Sequence, residues 1–261
     1  MLGIAVTFIV IAIALITYQP IQNKMMGDIK KYEQALKIDN NEEMFLYAIE
    51  TNVGDTLSYG EFFAKEPQNI EEIIGEYSII QRITERYTMH VDTVCTTDSD
   101  GDTSCKTEIS YSWDTKKREG FETKDYNFLG ATFLASQINL PSVSTLSLND
   151  ANVSFPYSEK IHSNRIYEDG SYFNSVGDLR YKYQVLPVKF NGTLFARFFE
   201  GNMSNPLHEK RSINVAYETN INDVVESQIK NLKFFNVFYY IIFILIGIGA
   251  YLILAYEVFN L

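Results

Sequence analysis

Cysteine is scarce in this chain: 261 residues hold two, with three histidines, one tryptophan and six prolines. Two thiols and the scattered His90, His162 and His208 offer no zinc spacing, and no HExxH occurs. GxSxG, P-loop and GxGxxG patterns are missing as well, which removes the sequence-readable hydrolase and nucleotide-binding classes. Charge is missing from both ends. Residues 1–19 contain no Lys, Arg, Asp or Glu, and beyond Lys233 the only one is Glu257. The net charge of −11 is therefore concentrated in the middle. An acidic middle repels phosphate, so nucleic acid is excluded as a partner. Nothing implies a cofactor or a small-molecule substrate.

What the ends do have is apolar length. Leu2–Tyr18 (LGIAVTFIVIAIALITY) is a short candidate span. It lacks the basic start and the A-x-A site of a cleaved signal peptide, so it reads as an uncleaved signal anchor over residues 1–20. Phe234–Tyr256 (FFNVFYYIIFILIGIGAYLILAY) is a longer candidate with one polar residue, Asn236, near its start. A short tail, 257–261, follows. Two spans put both termini on one side of a bilayer and the middle on the other. Lys24, Lys30, Lys31, Lys230 and Lys233 flank the spans and by positive-inside would hold the middle in the cytoplasm. That rule loses force for long loops. A pairable Cys95 and Cys105, with N-x-S/T sequons at Asn152, Asn191 and Asn202, point the other way, to an extracytoplasmic or lumenal domain.

Inside the anchors, Ile21, Met25, Ile29, Tyr32 and Leu36 recur at helical spacing, as do Ile221, Val224, Val225, Ile229 and Leu232. Juxtamembrane helices are expected over 21–40, with a kink at Pro20, and over 220–233, capped by Asn220 or Asn222. Side by side, they would form a stalk.

Between them, residues 41–219 read mainly as strands. Met44–Thr51 is an apolar strand candidate, and residues 67–75 (PQNIEEIIG) a short helix from Pro67 to Gly75. The strongest pattern is a hairpin. Residues 83–95 and 105–113 alternate apolar and polar, as half-buried strands do, around a turn-rich TTDSDGDTS. If Cys95 faces Cys105, then Val91 meets Ile109, Met89 meets Tyr111 and Tyr87 meets Trp113, all apolar pairs. A disulfide is expected there. Residues 126–138 suit a helix or a buried strand. A polar stretch from 139 to 164 looks like a loop or subdomain boundary. Asp178–Leu186 alternates again, Asn191–Gly192 signals a turn, and Gly192–Phe199 reads as the returning strand. The fold class expected is α+β: two terminal transmembrane helices, an antiparallel β-rich extramembrane domain and a helical juxtamembrane stalk.

Three runs carry a resemblance: Arg82, Glu85 and Tyr87; Tyr111 and Trp113; and Val176, Gly177, Asp178, Leu179 and Arg180. With their surroundings they resemble the TMEM43-like (LUMA-like) membrane proteins over roughly residues 44–200. The resemblance implies a lumenal domain on terminal membrane helices, with a scaffolding rather than catalytic role. It brings no catalytic residue. This chain departs from it in having one C-terminal span instead of several.

Asp98, Asp100 and Asp102 invite a calcium reading, since alternate carboxylates are hard-oxygen ligands. Counted from Asp98 as an EF-hand, however, the sixth and twelfth positions are Thr103 and Ile109, where Gly and Glu are needed. A solvated hairpin tip is the competing reading. The function expected is a non-enzymatic structural or scaffold protein, whose partners are the lipid bilayer and other membrane proteins of an assembly. The alternatives are a surface protein that is receptor-like or related to entering cells, binding a partner through the loops near Asn152 and Asn202, and a membrane-tethered enzyme with an unrecognised site.

Overall fold

The computed structural model describes residues 2–97, 99–169, 174–208 and 211–259. The chain forms two compact units: residues 1–61, 137–139 and 191–261 make the first, and residues 62–136 and 140–190 the second. The architecture is α+β, mostly antiparallel, with an apolar helix at the C-terminal end.

In the first unit, helix α1 (Leu2–Gln34) and helix α3 (Ile221–Phe259) pack against each other. Tyr32 on α1 and Ala35 just beyond its end share a buried cluster with Ile221 and Val224 on α3, while Tyr18 meets Phe235 and Tyr239 further along. Rising positions on one helix meet falling positions on the other, so the pair is antiparallel. Asn220 caps α3, its Oδ1 accepting from the Asp223 amide at 2.9 Å. Residues 21–34 and 221–233 are helical as expected, and α1 runs through Pro20 without a break. The first helix ends sooner than its periodicity suggests, at Gln34. Leu36–Asp39 is instead strand β1, parallel to Thr56–Tyr59 of strand β2 (Gly54–Ala64), with Ile38 fully buried. Tertiary pairing overrides local propensity here.

Met44–Thr51, expected as a strand, falls on helix α2 (Glu42–Glu50), with Thr51 as its C-cap. Asn41 caps it, accepting from the Met44 amide at 2.9 Å, and Glu42 and Glu43 stand at the positive end of its dipole. Phe45 and Ala48, three apart, are its buried face.

In the second unit, residues 67–75 also differ from expectation. They form strand β3 (Gln68–Ile70), a turn, and the start of strand β4 (Ile73–Thr97), with Ile70 opposite Ile73. Gly75 takes φ +126°, which a helix cannot use. Residues 126–138 resolve as a hairpin of β6 (Asp125–Phe128) and β7 (Ala131–Leu134). Leu129 and Gly130 both have positive φ, as a two-residue primed turn requires. β8 (Ile138–Asn139) follows and belongs to the first unit, while the polar stretch of the second unit holds two short strands, β9 (Ser144–Thr145) and β10 (Ile161–His162).

The main sheet of this unit is built on β4. Strand β12 (Leu179–Pro187) pairs with it antiparallel, and β11 (Arg165–Tyr167) pairs with β12. Strand β5 (Thr103–Glu122) also pairs antiparallel with β4, from Ile79 to Thr97. Ile73, Ile80, Leu148, Val153, Ile166, Tyr183 and Val185 form the core under the sheet. Asn191–Gly192 is not a turn: strand β13 (Lys189–Phe199) runs through it. The segment expected to return along β12 pairs instead with β14 (Asn202–Ser204) and β15 (Ile213–Tyr217). The tight turn lies at Glu200–Gly201, both with positive φ.

Candidate functional site

The register of β4 against β12 and β5 gathers residues far apart in sequence. Glu85 lies opposite Arg180, and Tyr87 opposite Trp113. Glu85 is 5% exposed and is the centre of a charged cluster. Its Oε1 accepts from Lys182 Nζ at 2.5 Å; its Oε2 accepts from Arg180 Nε at 2.8 Å and Arg165 Nε at 3.3 Å. Burial alone would push this carboxyl up, but the bonds from Lys182 and Arg180 outweigh it and hold Glu85 below its ordinary value. Arg180 also lies over the Trp113 ring, 4.2 Å from its centroid, and reaches the Tyr167 hydroxyl at 3.3 Å. Trp113 in turn meets Tyr87 and Tyr167 edge or face at 5.2 and 5.8 Å between centroids.

A second network adjoins it along β4. Arg82 bridges Glu72 and Glu119, and Lys117 reaches Glu119 at 2.6 Å. The hydrogen bonds from Lys117 and Arg82 hold Glu119 down at about 2. Partial burial pulls Arg82 down, but Glu119 and Glu72 raise it above its ordinary value. Glu85 and Glu119 each accept on both carboxylate oxygens. Glu85 has donors on each oxygen, which suits a rivet between strands better than a general base.

The runs that carry the family resemblance meet here. Glu85 and Arg180 are bonded, and Tyr87, Tyr111 and Trp113 are ring neighbours along one face. The Tyr87 amide donates to Asp178 O at 3.0 Å, and Gly177 N to Tyr87 O at 2.9 Å. Sequence reasoning missed the cation cluster. Its one local signal was Arg180 and Lys182 at alternate positions of β12; Arg165 and Glu85 join only through strand pairing.

Cys95 and Cys105 are directly opposite and joined by a disulfide, with Val91–Ile109, Met89–Tyr111 and Tyr87–Trp113 paired below them, the register that the alternation gives. The burial differs from expectation. Met89 (45% exposed), Val91 (56%), Ile109 (58%) and Tyr111 (51%) stand in solvent. Past Tyr87 the two strands continue as a ribbon with no third strand among the described residues. Alternation identifies the faces of a strand but not what covers them.

Asp98 lies outside the described residues. Asp100 and Asp102 sit at the exposed turn, and among the described residues no three of His, Cys, Asp and Glu come together as metal ligands. The sequons differ in setting. Asn202 is exposed just after the Glu200–Gly201 turn. Asn191 is exposed, but Thr193 of the same sequon is buried and its hydroxyl donates to Thr219 O. Asn152 is half-buried, donating from Nδ2 to Ser147 O at 2.7 Å and accepting from the Asn149 amide at 2.9 Å.

Among the described residues, one helix is long and apolar enough to cross a membrane, over Ile221–Gly249, with mean hydropathy 1.9. The helix suggests a membrane anchor, and the disulfide suggests an oxidising compartment. Compared with family models, with curated proteins and with solved structures, the chain matches none.

Proposed function

We propose that this protein is a non-enzymatic scaffold of a membrane assembly, held in the bilayer by α1 as well as α3, with its β-rich domain on the extracytoplasmic or lumenal side. The observation that carries this reading is the seam between the two helices. Tyr18 donates to Asn236 Oδ1 at 3.0 Å and stacks on Phe235, and Thr17 bonds to Tyr239. Polar groups paired across two otherwise apolar helices are satisfied inside a bilayer, where water cannot serve them. Lower down, Tyr32 stacks on Phe195 at 4.1 Å, tying the helix pair to strand β13. The TMEM43-like resemblance supports the same reading, as do the rivet-like Glu85 cluster and its saturated carboxylate.

A second reading, a receptor-like surface protein, draws on the exposed apolar ribbon. The two share a topology and differ in whether the partner lies in the same membrane. The test is alkaline carbonate extraction, followed by purification in mild detergent. The chain should stay with the membrane and purify with a stoichiometric membrane partner. Protease added to sealed, right-side-out vesicles should remove the middle domain. Release by carbonate, or full protection from protease, overturns the topology; purification as a lone chain overturns the scaffold role.

A further inference from the structure

The distal β4–β5 ribbon, from Thr88–Ser112 to the turn, has no role in the packing described so far. At about 3.3 Å per residue its ten pairs extend roughly 30 Å. One face carries Met89, Val91, Ile109 and Tyr111, all exposed and adjacent across the strands. Contiguous exposed apolar surface marks an interaction site. The opposite face carries the two carboxylates of the paired strands, with Lys106, His90 and the exposed Val94. Asp92 and Glu108 are direct cross-strand partners, an unfavourable like-charge pair, and the nearest cation is Lys106, 3.9 Å from Glu108. With Asp100 and Asp102 at the turn, the described residues of the ribbon have four carboxylates and one lysine. It is fastened at both ends, by Cys95–Cys105 near the turn and by Trp113 and Arg180 at the base. A pre-ordered element loses little entropy on binding.

These features select the occupant. A second copy packed on the apolar face would leave Asp92 and Glu108 without a counter-charge, and an anionic bilayer surface would repel the ribbon. We propose that the ribbon docks in a cleft of a different protein, with one apolar wall that receives Met89, Val91, Ile109 and Tyr111 and one lysine-bearing wall that faces Asp92 and Glu108. The inference rests on the scaffold reading and assigns its contact surface.

The test uses the full chain in its own membranes. Benzoylphenylalanine in place of Val91 is photolysed, and in a separate sample carbodiimide couples Asp92 and Glu108 to neighbouring lysine amines. Both should join the same second protein, and the carbodiimide adduct should map to a lysine peptide of it. Val91 is left intact for the variants, which are read by the carbodiimide adduct. Met89→Ser with Ile109→Thr should lower its yield at least tenfold, and so should 0.5 M salt. Both side chains are exposed, and unchanged membrane retention and disulfide formation check the fold. Adducts to a second copy or to lipid, no adduct, or a yield indifferent to the double variant would each overturn the proposal. If carbonate releases the wild-type chain, the scaffold reading fails first; if the chain is retained without adducts, the ribbon inference alone fails.

Discussion

Arg180 rests on Trp113 with its guanidinium carbon 4.2 Å from the ring centroid, while its Nε donates to Glu85 at 2.8 Å. A planar cation that stacks and bonds at once is not replaceable by lysine. Arg180→Lys should lower stability by about 1–2 kcal/mol, combining a lost cation–π contact with a weakened charged hydrogen bond. Trp113 is the only tryptophan, so intrinsic fluorescence reads this site alone. Its emission should shift in the variant while the far-UV spectrum does not. An unchanged emission would count against the contact.

Acid should loosen the second unit through two carboxylates. Glu85 and Glu119 both have folded pKa values depressed below the ordinary 4.5, Glu119 to about 2. Depressed values stabilise the fold above pH 4.5, and that stabilisation is lost as pH falls toward 2. The denaturation midpoint should be flat from pH 7 to 5 and then decline. Glu85→Gln should remove part of that slope and cost about 2 kcal/mol at pH 7, less than a fully buried pair because its cations are partly solvated. A midpoint that rises on acidification contradicts the assignment.

The disulfide should matter locally. Replacing Cys95 and Cys105 by Ser removes a short-loop cross-link contributing about 2–3 kcal/mol to strand pairing at the ribbon's end. The ribbon there packs on nothing else described, so global melting should barely move. Amide exchange should instead accelerate over residues 90–97 and 103–110. Equal acceleration along β12 would show that the ribbon is coupled to the core.

On the two-span reading, the helix seam predicts a modest cost in the membrane. Tyr18→Phe removes the hydroxyl that donates to Asn236. Interhelical bonds in bilayers average about 0.6 kcal/mol and reach about 1.7. Thermal unfolding in detergent should fall by a few degrees, and Asn236→Leu should restore part of the loss by removing the orphaned amide.

On the extracytoplasmic reading, Asn202 carries the glycan. Its sequon lies exposed beside a tight turn, whereas the Asn152 amide bridges Ser147 and Asn149. Glycopeptide mass spectrometry should find occupancy at Asn202. Asn152→Ala should instead destabilise its loop by about 1–2 kcal/mol through two lost hydrogen bonds. Occupancy confined to Asn152 would reverse this ranking.

Much of the fold is legible from residue order, because strong signals agree with tertiary need. The Cys95–Cys105 register follows from alternation on two adjacent strands. The C-terminal helix follows from apolar length, and its start from Asn220. The errors came where one local signal was outvoted. Met44–Thr51 is apolar enough for a strand, but the Asn41 cap and the Phe45–Ala48 spacing make it helical. Asn191–Gly192 looks like a turn, yet neighbouring strands hold it extended. The Glu85 cluster was hidden for a different reason. Its charges come from three strands, and no local pattern gives the register that brings Arg180 and Arg165 to one carboxylate.

The helix seam also sets a timetable for synthesis. Tyr18 and Asn236 are 218 residues apart. At about 5–20 residues per second, the ribosome needs on the order of 10–40 s to deliver the second after the first. The chain of the second unit is complete by residue 190, before Ile221 has been made. The N-terminal helix therefore spends that interval without its partner, and its cluster around Tyr32 and Phe195 closes only when Val224 emerges.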